Sequence, residues 1–331
     1  MKEIVISQGD AGQRFDKYLG KYLSKATESF IYKMLRKKNI TLNEKKATGN
    51  EKILSGDKVC IFFSDETLDK FSGNAEVIGD TSYIAPVVVY EDDDILLVDK
   101  PSGMLSQRAK PEDVSLIEHI TAYLLKSGSA TDESLKSFHP GICNRLDRNT
   151  SGIVAAGKTM KGVQELSLAF KERSLHKYYI CIVAGKVLAK SKINGYLFKD
   201  SKTNKVKIYD LDEKSVPGDA LLIETEYIPI AGNDNITLLK VNLITGRSHQ
   251  IRAHLASVNH PVIGDYKYGG KINNIFRDKY NVKNQLLHAY ELQIPDMDIH
   301  VFTKLPGQFI NILKGEKLWE PGIQEDLEAL H

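Results

Sequence analysis

Several features are scarce or missing in this 331-residue chain, and their absence excludes whole classes of protein. There are three cysteines, Cys60, Cys143 and Cys181, far apart and in no CxxC pair. That excludes a disulfide framework and a cysteine zinc site, and leads us to expect a reducing, cytoplasmic setting. No apolar run is long enough to span a bilayer. The first residues, MKEIVISQGD, lack the basic start, apolar stretch and small-residue cleavage site of a secretory leader. Internal repeats and low-complexity segments are also lacking. What remains is an ordinary globular composition, 42% hydrophobic and 27% charged, on a chain long enough for two domains.

The net charge of +2 hides a segregation. Residues 1–60 carry thirteen Lys/Arg against seven Asp/Glu, whereas residues 64–96 carry nine acids and the single Lys70. A basic module followed by an acidic connector suits a nucleic-acid-binding appendage on a second domain. We place the module at 1–66, the linker at 67–85, a catalytic domain at 86–315 and a tail at 316–331. Within the module, Phe15, Tyr18, Leu19, Tyr22 and Leu23 fall at helical spacing, as do Ile31, Met34 and Leu35. Lys33, Arg36, Lys37 and Lys38 cluster on the second helix, and Lys45 and Lys46 follow the short strand Ile40–Asn43. They form either a phosphate-facing surface or a solvated helix end with lysines near its negative pole.

From Pro86 the pattern becomes strand-rich. Buried-strand runs are expected at 87–90, 95–98, 152–156, 178–184, 220–227, 236–243 and 301–305, with helices near 116–125, 160–171 and 248–258. Several adjacent strands lack an intervening helix, which predicts an α+β domain with a mixed, largely antiparallel sheet. Residues 152–159, GIVAAGKT, match the phosphate-loop template GxxxxGK[ST]. Their middle is apolar and β-branched, so a strand is the better reading, with Thr159 capping the next helix.

Three segments hold polar residues that packing does not explain. They are Arg145–Gly152 (RLDRNTSG), the alternating strand His176–Val183 (HKYYICIV), and Thr245–Arg252 (TGRSHQIR). An arginine beside a helix start meets dipole repulsion, so a carboxylate opposite it is expected. A lone Asp147 fits nucleophilic or electrostatic work at an anomeric carbon, but glycoside hydrolysis needs a second carboxyl, and none stands in these segments. One carboxylate, one arginine and one tyrosine suit the detachment of a good leaving group without water, and a uracil leaving ribose qualifies.

NRLDRNTSG resembles the HRLDxxTSG signature of the RluA family of pseudouridine synthases. The resemblance runs on through EDDDILLVDKPSGMLSQ, KYYICIVAG, LITGRSHQIRAHLASVNHPVIGDYKYGG and LLHAYEL, covering Pro86 to about Leu313. The N-terminal module is similar to the ribosomal-protein-type RNA-binding domain, a small α/β-hairpin domain, of the RluC and RluD branch. The resemblance implies a cofactor-free, metal-free isomerisation of uridine to pseudouridine in RNA, with large-subunit ribosomal RNA favoured over transfer RNA. On that implication Asp147 is the catalytic aspartate, whether by attack at C1′ or by removal of a ribose proton. Arg247 pairs with and orients it, and Tyr179 contacts the uracil and helps take up the C5 proton. Arg145 helps flip the nucleotide, since C1′ and C5 cannot both be worked on inside a stacked helix. Leu287 packs against the base. The family's leading His is Asn144 here, which bears on RNA preference more than on chemistry.

The competing class is a non-catalytic RNA-binding or ribosome-assembly factor. Cys143 is expected as a buried filler rather than a nucleophile. His249 and His254, five apart, split across helix faces and share no metal. A monomer is the default expectation.

Overall fold

The computed structural model describes residues 1–7, 9–72, 83–200 and 205–330. The chain divides into two compact units. One comprises Met1–Val98, Gln107–Arg145 and Val154–Leu168, the other Asp99–Ser106, Leu146–Ile153 and Ala169–His331.

The first unit opens with β1 (Lys2–Val5), helices α1 (Phe15–Tyr22) and α2 (Glu28–Arg36), then β2 (Ile40–Leu42), β3 (Lys45–Lys46) and β4 (Lys58–Ile61). The strands form an antiparallel sheet in the order β1-β4-β2-β3. The apolar residues at helical spacing bury Phe15, Leu19, Leu23, Ile31 and Leu35 against Ile40, Ile53, Val59 and Ile61. The Thr27 hydroxyl accepts from the Phe30 N–H and so starts α2. Lys33, Arg36, Lys37 and Lys38, with Lys45 and Lys46 on β3, are all exposed.

The stretch read as a linker begins instead as helix α3 (Asp65–Phe71), N-capped by Ser64. The sequence looked aperiodic there because only one side of the helix packs: the Phe71 ring sits 4.3 Å from that of Phe30. Residues 73–82 of that stretch lie outside the described residues.

There follow β5 (Val87–Glu91), β6 (Ile95–Lys100), α4 (Leu116–Ser127), α5 (Asp132–Ser137), β7 (Gly141–Ile142), β8 (Ser151–Gly157) and α6 (Met160–Glu172). A capping box of Ser115 and Glu118 starts α4, and left-handed Gly128 ends it. The Tyr22 hydroxyl donates to Glu133 on α5 at 2.6 Å, so α1 is bound into the same unit as α5. The GxxxxGKT stretch is the buried strand β8, not a loop. Lys158 donates to the Glu91 carboxylate and the Asp92 carbonyl, both at 2.7 Å. Thr159 accepts from the Gly162 N–H at the start of α6.

The second unit holds β9 (His176–Ala184), β10 (Ser191–Asp200), β11 (Lys205–Tyr209), β12 (Leu221–Gly232), β13 (Ile236–Leu243), α7 (Gln250–Ser257), α8 (Ile272–Tyr280), β14 (Leu287–Ile294), β15 (Ile299–Phe302), α9 (Gly307–Gly315) and α10 (Ile323–Ala329). Its strands run β11-β10-β12-β13-β9-β14 with β15 beside β14, every one of these pairings antiparallel. The first residues of β8 add a short parallel pairing, Ser151 with His288 and Gly152 with Ala289. Gly152 has φ +112°, and a Cβ there would collide with the Ala289 carbonyl. Only glycine lets the Asp147 loop enter the sheet at this point.

Residues 316–331, read from sequence as a tail, contribute to the core of this unit through Ile323 and Leu327 of α10. With Phe309, Ile312 and Leu313 of α9 they are buried among Ile180, Ile182, Ile236, Leu238 and Tyr290. The wholly buried Lys240 ammonium donates to the Leu327 carbonyl and pairs with Glu291 at 2.7 Å.

Candidate active site

Asp147, Tyr179, Arg252, Asp265 and Leu287 all lie in the second unit. Asp147 stands in the turn between the short segment at Leu146 and β8, and a second loop, 101–106, props that turn from behind. The Ser106 hydroxyl donates to the Leu146 carbonyl at 3.0 Å and accepts from its N–H. The Gly103 N–H donates to the Arg148 carbonyl at 2.9 Å, and the Ser102 hydroxyl to the Asn149 carbonyl at 2.8 Å. Between the two loops sits Lys100, with no exposed surface. Its ammonium donates to the carbonyls of Pro101, Met104 and Arg148 at 2.8–3.1 Å. Burial pulls its pKa down to about 8, with Asp147 and Asp99 pulling the other way. Within the turn, the Thr150 N–H donates to the Asp147 carbonyl, and the Gln285 side chain donates to the Thr150 hydroxyl. A carboxylate mounted on so many backbone hydrogen bonds is held in one place.

The guanidinium on Asp147 belongs to Arg252. Its Nη1 donates to Asp147 Oδ2 at 2.6 Å, while Nε and Nη2 grip both oxygens of Asp265 at 2.6 and 3.0 Å. Burial works against this charge, but the hydrogen bonds and attraction of Asp265 and Asp147 outweigh it and raise the pKa above the ordinary guanidinium value. Asp265 is 1% exposed and also accepts from the N–H groups of Lys267 and Tyr268. It is therefore a buried anchor for Arg252. The Asp147 side chain is 29% exposed.

The expected Arg247–Asp147 pair is not formed. Arg247 is exposed, and among the described residues its guanidinium makes no ion pair. The reason is where the helix begins. Gln250 Oε1 accepts from the Arg247 N–H at 3.0 Å and the Thr245 hydroxyl at 2.8 Å. His249 takes a left-handed φ of +56°, and α7 starts only at Gln250. Residue 247 thus lies in the preceding turn, whereas residue 252 lies on the buried face of the first helical turn. The sequence did carry a signal for this: an arginine between Ile251 and Ala253 inside an apolar helix pattern must be buried, and burial demands a partner.

Tyr179 is 7% exposed. Burial first, and then the charge of Asp147, push its phenol far above the ordinary value, so the hydroxyl stays protonated at neutral pH. Tyr178 points to the opposite face of β9, where the Lys240 ammonium lies 4.7 Å from its ring. His249 Nε2 lies 4.0 Å from Asp147 Oδ2, and its Nδ1 meets the Tyr268 hydroxyl at 2.7 Å. Burial lowers its pKa against the pull of Asp147. His254 turns away to Thr225, and among the described residues no His/Cys/Asp/Glu cluster could hold a metal. Leu287 opens β14 opposite Cys181 and is buried. Arg145 is exposed two residues before Asp147. Asn144, which stands at the family histidine, accepts from the Ala155 N–H at 2.7 Å. Cys143 is half-buried, and burial raises its thiol pKa.

No helix among the described residues is long and apolar enough to cross a membrane. The sequence pattern of the RNA pseudouridylate synthase family matches residues 94–257. Over 320 residues the chain is 28% identical to a ribosomal large subunit pseudouridine synthase C of Vibrio vulnificus, covering 95% of this chain and 93% of that one. It is 30% identical over 307 residues to an uncharacterized RNA pseudouridine synthase, MG370, of Mycoplasma genitalium, covering 92% of both. Among solved structures, human RNA pseudouridylate synthase domain containing 4 superposes with a TM-score of 0.60 at 19% identity, over 71% of this chain and 94% of that one.

Proposed function

The chain belongs to the RNA pseudouridylate synthase family, as an enzyme of the RluA type, and from that premise we propose that it isomerises uridines of large-subunit ribosomal RNA with Asp147 as the reacting group. The observation that carries this reading is one partly exposed carboxylate, held by the shared Arg252 fork, whose charge reaches a buried phenol. Attack at C1′ and removal of a ribose proton both start from the Asp147 carboxylate. Arg252, itself locked by its two bonds to Asp265, holds that carboxylate through Oδ2, and such positioning contributes to reaction rate. The N1–C1′ bond breaks with its electron pair left on uracil as a delocalised anion; the base turns, C5 bonds to C1′, the C5 proton is lost to water and N1 takes one up, so the product is an isomer. Because the Tyr179 phenol arrives protonated, its contribution is contact and hydrogen bonding to the turning base before any proton uptake. Arg145, exposed at the mouth of the loop, is suited to fill the space a flipped nucleotide leaves. Leu287 supplies apolar surface to the base.

Support for ribosomal over transfer RNA comes from the relatives named for the large ribosomal subunit and from the basic N-terminal module. Six exposed cations, Lys33, Arg36, Lys37, Lys38, Lys45 and Lys46, have no acidic partner among the described residues, so they are free to meet phosphates. RNA carrying tritium at uridine C5 tests the chemistry: the wild type should release the label and Asp147→Asn should not. Release by the amide variant at the normal rate would refute the role of Asp147. Sequencing cellular RNA for pseudouridine with and without the protein tests the substrate, and loss confined to transfer RNA would overturn the ribosomal assignment.

A further inference from the structure

His249 stands beside Asp147, yet what holds it there is not Asp147. Its Nε2 lies 4.0 Å from Asp147 Oδ2, beyond hydrogen-bond reach, and among the described residues Nε2 has no hydrogen-bond partner. Its Nδ1 meets the Tyr268 hydroxyl at 2.7 Å, and that hydroxyl oxygen accepts from the Val206 N–H of β11 at 3.1 Å. With Val206 donating to the oxygen, the Tyr268 hydroxyl proton has one acceptor among the described residues, Nδ1 of His249. Burial holds the imidazole below its ordinary pKa despite the pull of Asp147, so at neutral pH the ring carries a single proton. Nδ1 is taken as an acceptor, so that proton sits on Nε2, the nitrogen near Asp147. The loop that fixes His249 also fixes Arg252. Asp265 grips two nitrogens of Arg252 and accepts from the Tyr268 N–H, while the Tyr268 ring lies edge-on to His249 at 5.6 Å and 5.3 Å from the Arg252 guanidinium. The His249 side chain is 14% exposed, and its backbone keeps a left-handed φ of +56°, a conformation that costs a residue with a Cβ. A neutral N–H donor, braced from behind and unpartnered next to the carboxylate, is a group set to meet a substrate atom.

We propose that the His249 Nε2–H donates to the 2′-oxygen of the target nucleotide, which makes His249 a residue that selects ribonucleotide over deoxyribonucleotide substrate. This rests on the reading of Asp147 as the reacting group. Attack at C1′ brings the carboxylate against the carbon next to C2′, and removal of a ribose proton brings it to the same part of the sugar. A donor 4.0 Å from Oδ2 then faces the ribose oxygens on either side of C1′. Of these, O4′ loses electron density as the N1–C1′ bond breaks, as in other departures from an anomeric carbon. O2′ keeps its lone pairs and is the better acceptor. The 2′-hydroxyl is also the group by which a protein tells RNA from DNA at a given site. A neutral donor suits this place, because a protonated imidazole would compete with Arg252 for Oδ2.

The test measures single-turnover tritium release by the full chain from transcripts of large-subunit ribosomal RNA and transfer RNA. One set is sparsely doped with 5-tritiated uridine, the other with 5-tritiated 2′-deoxyuridine, so that the RNA fold is shared and the label alone reports on the 2′-oxygen. The ribo label should leave faster than the deoxy label. His249→Asn keeps a polar atom at the Nδ1 position for Tyr268 and suits the left-handed backbone, but removes the donor at Nε2. It should cut the ribo-to-deoxy rate ratio about 5- to 150-fold, the range for one hydrogen bond whose partner is left unmet. His249→Gln, whose amide nitrogen reaches the Nε2 position, should recover part of that ratio. A residue that merely supports the fold would slow both labels alike. An equal ratio in wild type and His249→Asn, including no release of the deoxy label by either, overturns the proposal, as does a glutamine variant no better than the asparagine one. If Asp147→Asn releases the ribo label at the wild-type rate, the reading of Asp147 fails independently of the ratio. If the wild type releases the ribo label from no transcript, the proposed function fails and this inference with it.

Discussion

Replacing Arg252 by glutamine removes the side chain that links the Asp147 carboxylate, our proposed reacting group, to its buried anchor Asp265. Two losses follow, and they can be separated. Asp265, 1% exposed, keeps two backbone N–H donors but loses its counter-charge. Stripping one partner from a buried pair costs about 3–5 kcal/mol. For a unit of this size that lowers the melting temperature by about 6–20 °C. Asp147, by contrast, is partly exposed and loses orientation rather than solvation, so the second loss is in rate. A displacement on the order of 1 Å costs about 100-fold. Arg252→Lys should recover little, because a single ammonium cannot grip both oxygens of Asp265 and still reach Asp147. The measurements are thermal denaturation by near-ultraviolet circular dichroism and single-turnover tritium release. Arg247→Gln is the comparison: its side chain is exposed, so the melting temperature should stay within about 1–2 °C and the single-turnover rate near wild type. If the Arg247 variant loses rate while the Arg252 variant keeps both rate and melting temperature, the assignment of the fork is wrong.

Other parts of the molecule give equally definite expectations. Neutralising Lys33, Arg36, Lys37, Lys38, Lys45 and Lys46 one at a time to glutamine should weaken RNA binding without loss of fold, each true phosphate contact lowering the salt slope by about 0.7–0.9. An unchanged slope in every variant would remove the docking role. Deleting residues 1–66 outright would be a poorer test, since Tyr22 and its hydrogen bond to Glu133 go with them. Lys240→Met should cost about 3–5 kcal/mol by stranding Glu291, and the double variant Lys240→Met with Glu291→Gln should restore part of it, as read by denaturant unfolding. Asp99 has its pKa raised to about 6, chiefly by burial, against the opposing Gly152 N–H and Lys100 charge. A raised carboxyl pKa means the folded state holds this proton more tightly, so stability falls as pH climbs from about 4 through 6. Asp99→Asn should therefore be more stable than wild type at pH 7, by about 1 kcal/mol after solvent screening, and no more stable at pH 4. A gain of equal size at both pH values would refute that cause.

Local information reached far in this chain. Apolar runs alternating with turn residues marked β6, β8, β9 and β13, because strands buried on both faces keep their hydrophobic signature regardless of what they touch. Helical spacing marked α4, α6 and α7 within a few residues. β10, which reads SKINGYLFKD, escaped notice because it is a half-exposed hairpin arm whose lysines suit solvent as well as a sheet. α9 and α10 escaped because short helices are stabilised by packing more than by propensity, and their docking on Ile180, Ile236 and Tyr290 is a long-range event. Chemistry followed the same division. Residue types and motif order singled out Asp147 and Tyr179, and the relatives settle the enzyme class. The choice between Arg247 and Arg252 turned on a single structural event, the point at which α7 begins, set by the Gln250 side chain folding back on the turn before it. Burial of Asp265 then decided which guanidinium could not be given up to solvent. A one-dimensional pattern records which groups are present. Which of two equal charges becomes the partner depends on desolvation, and desolvation exists only once distant segments have met.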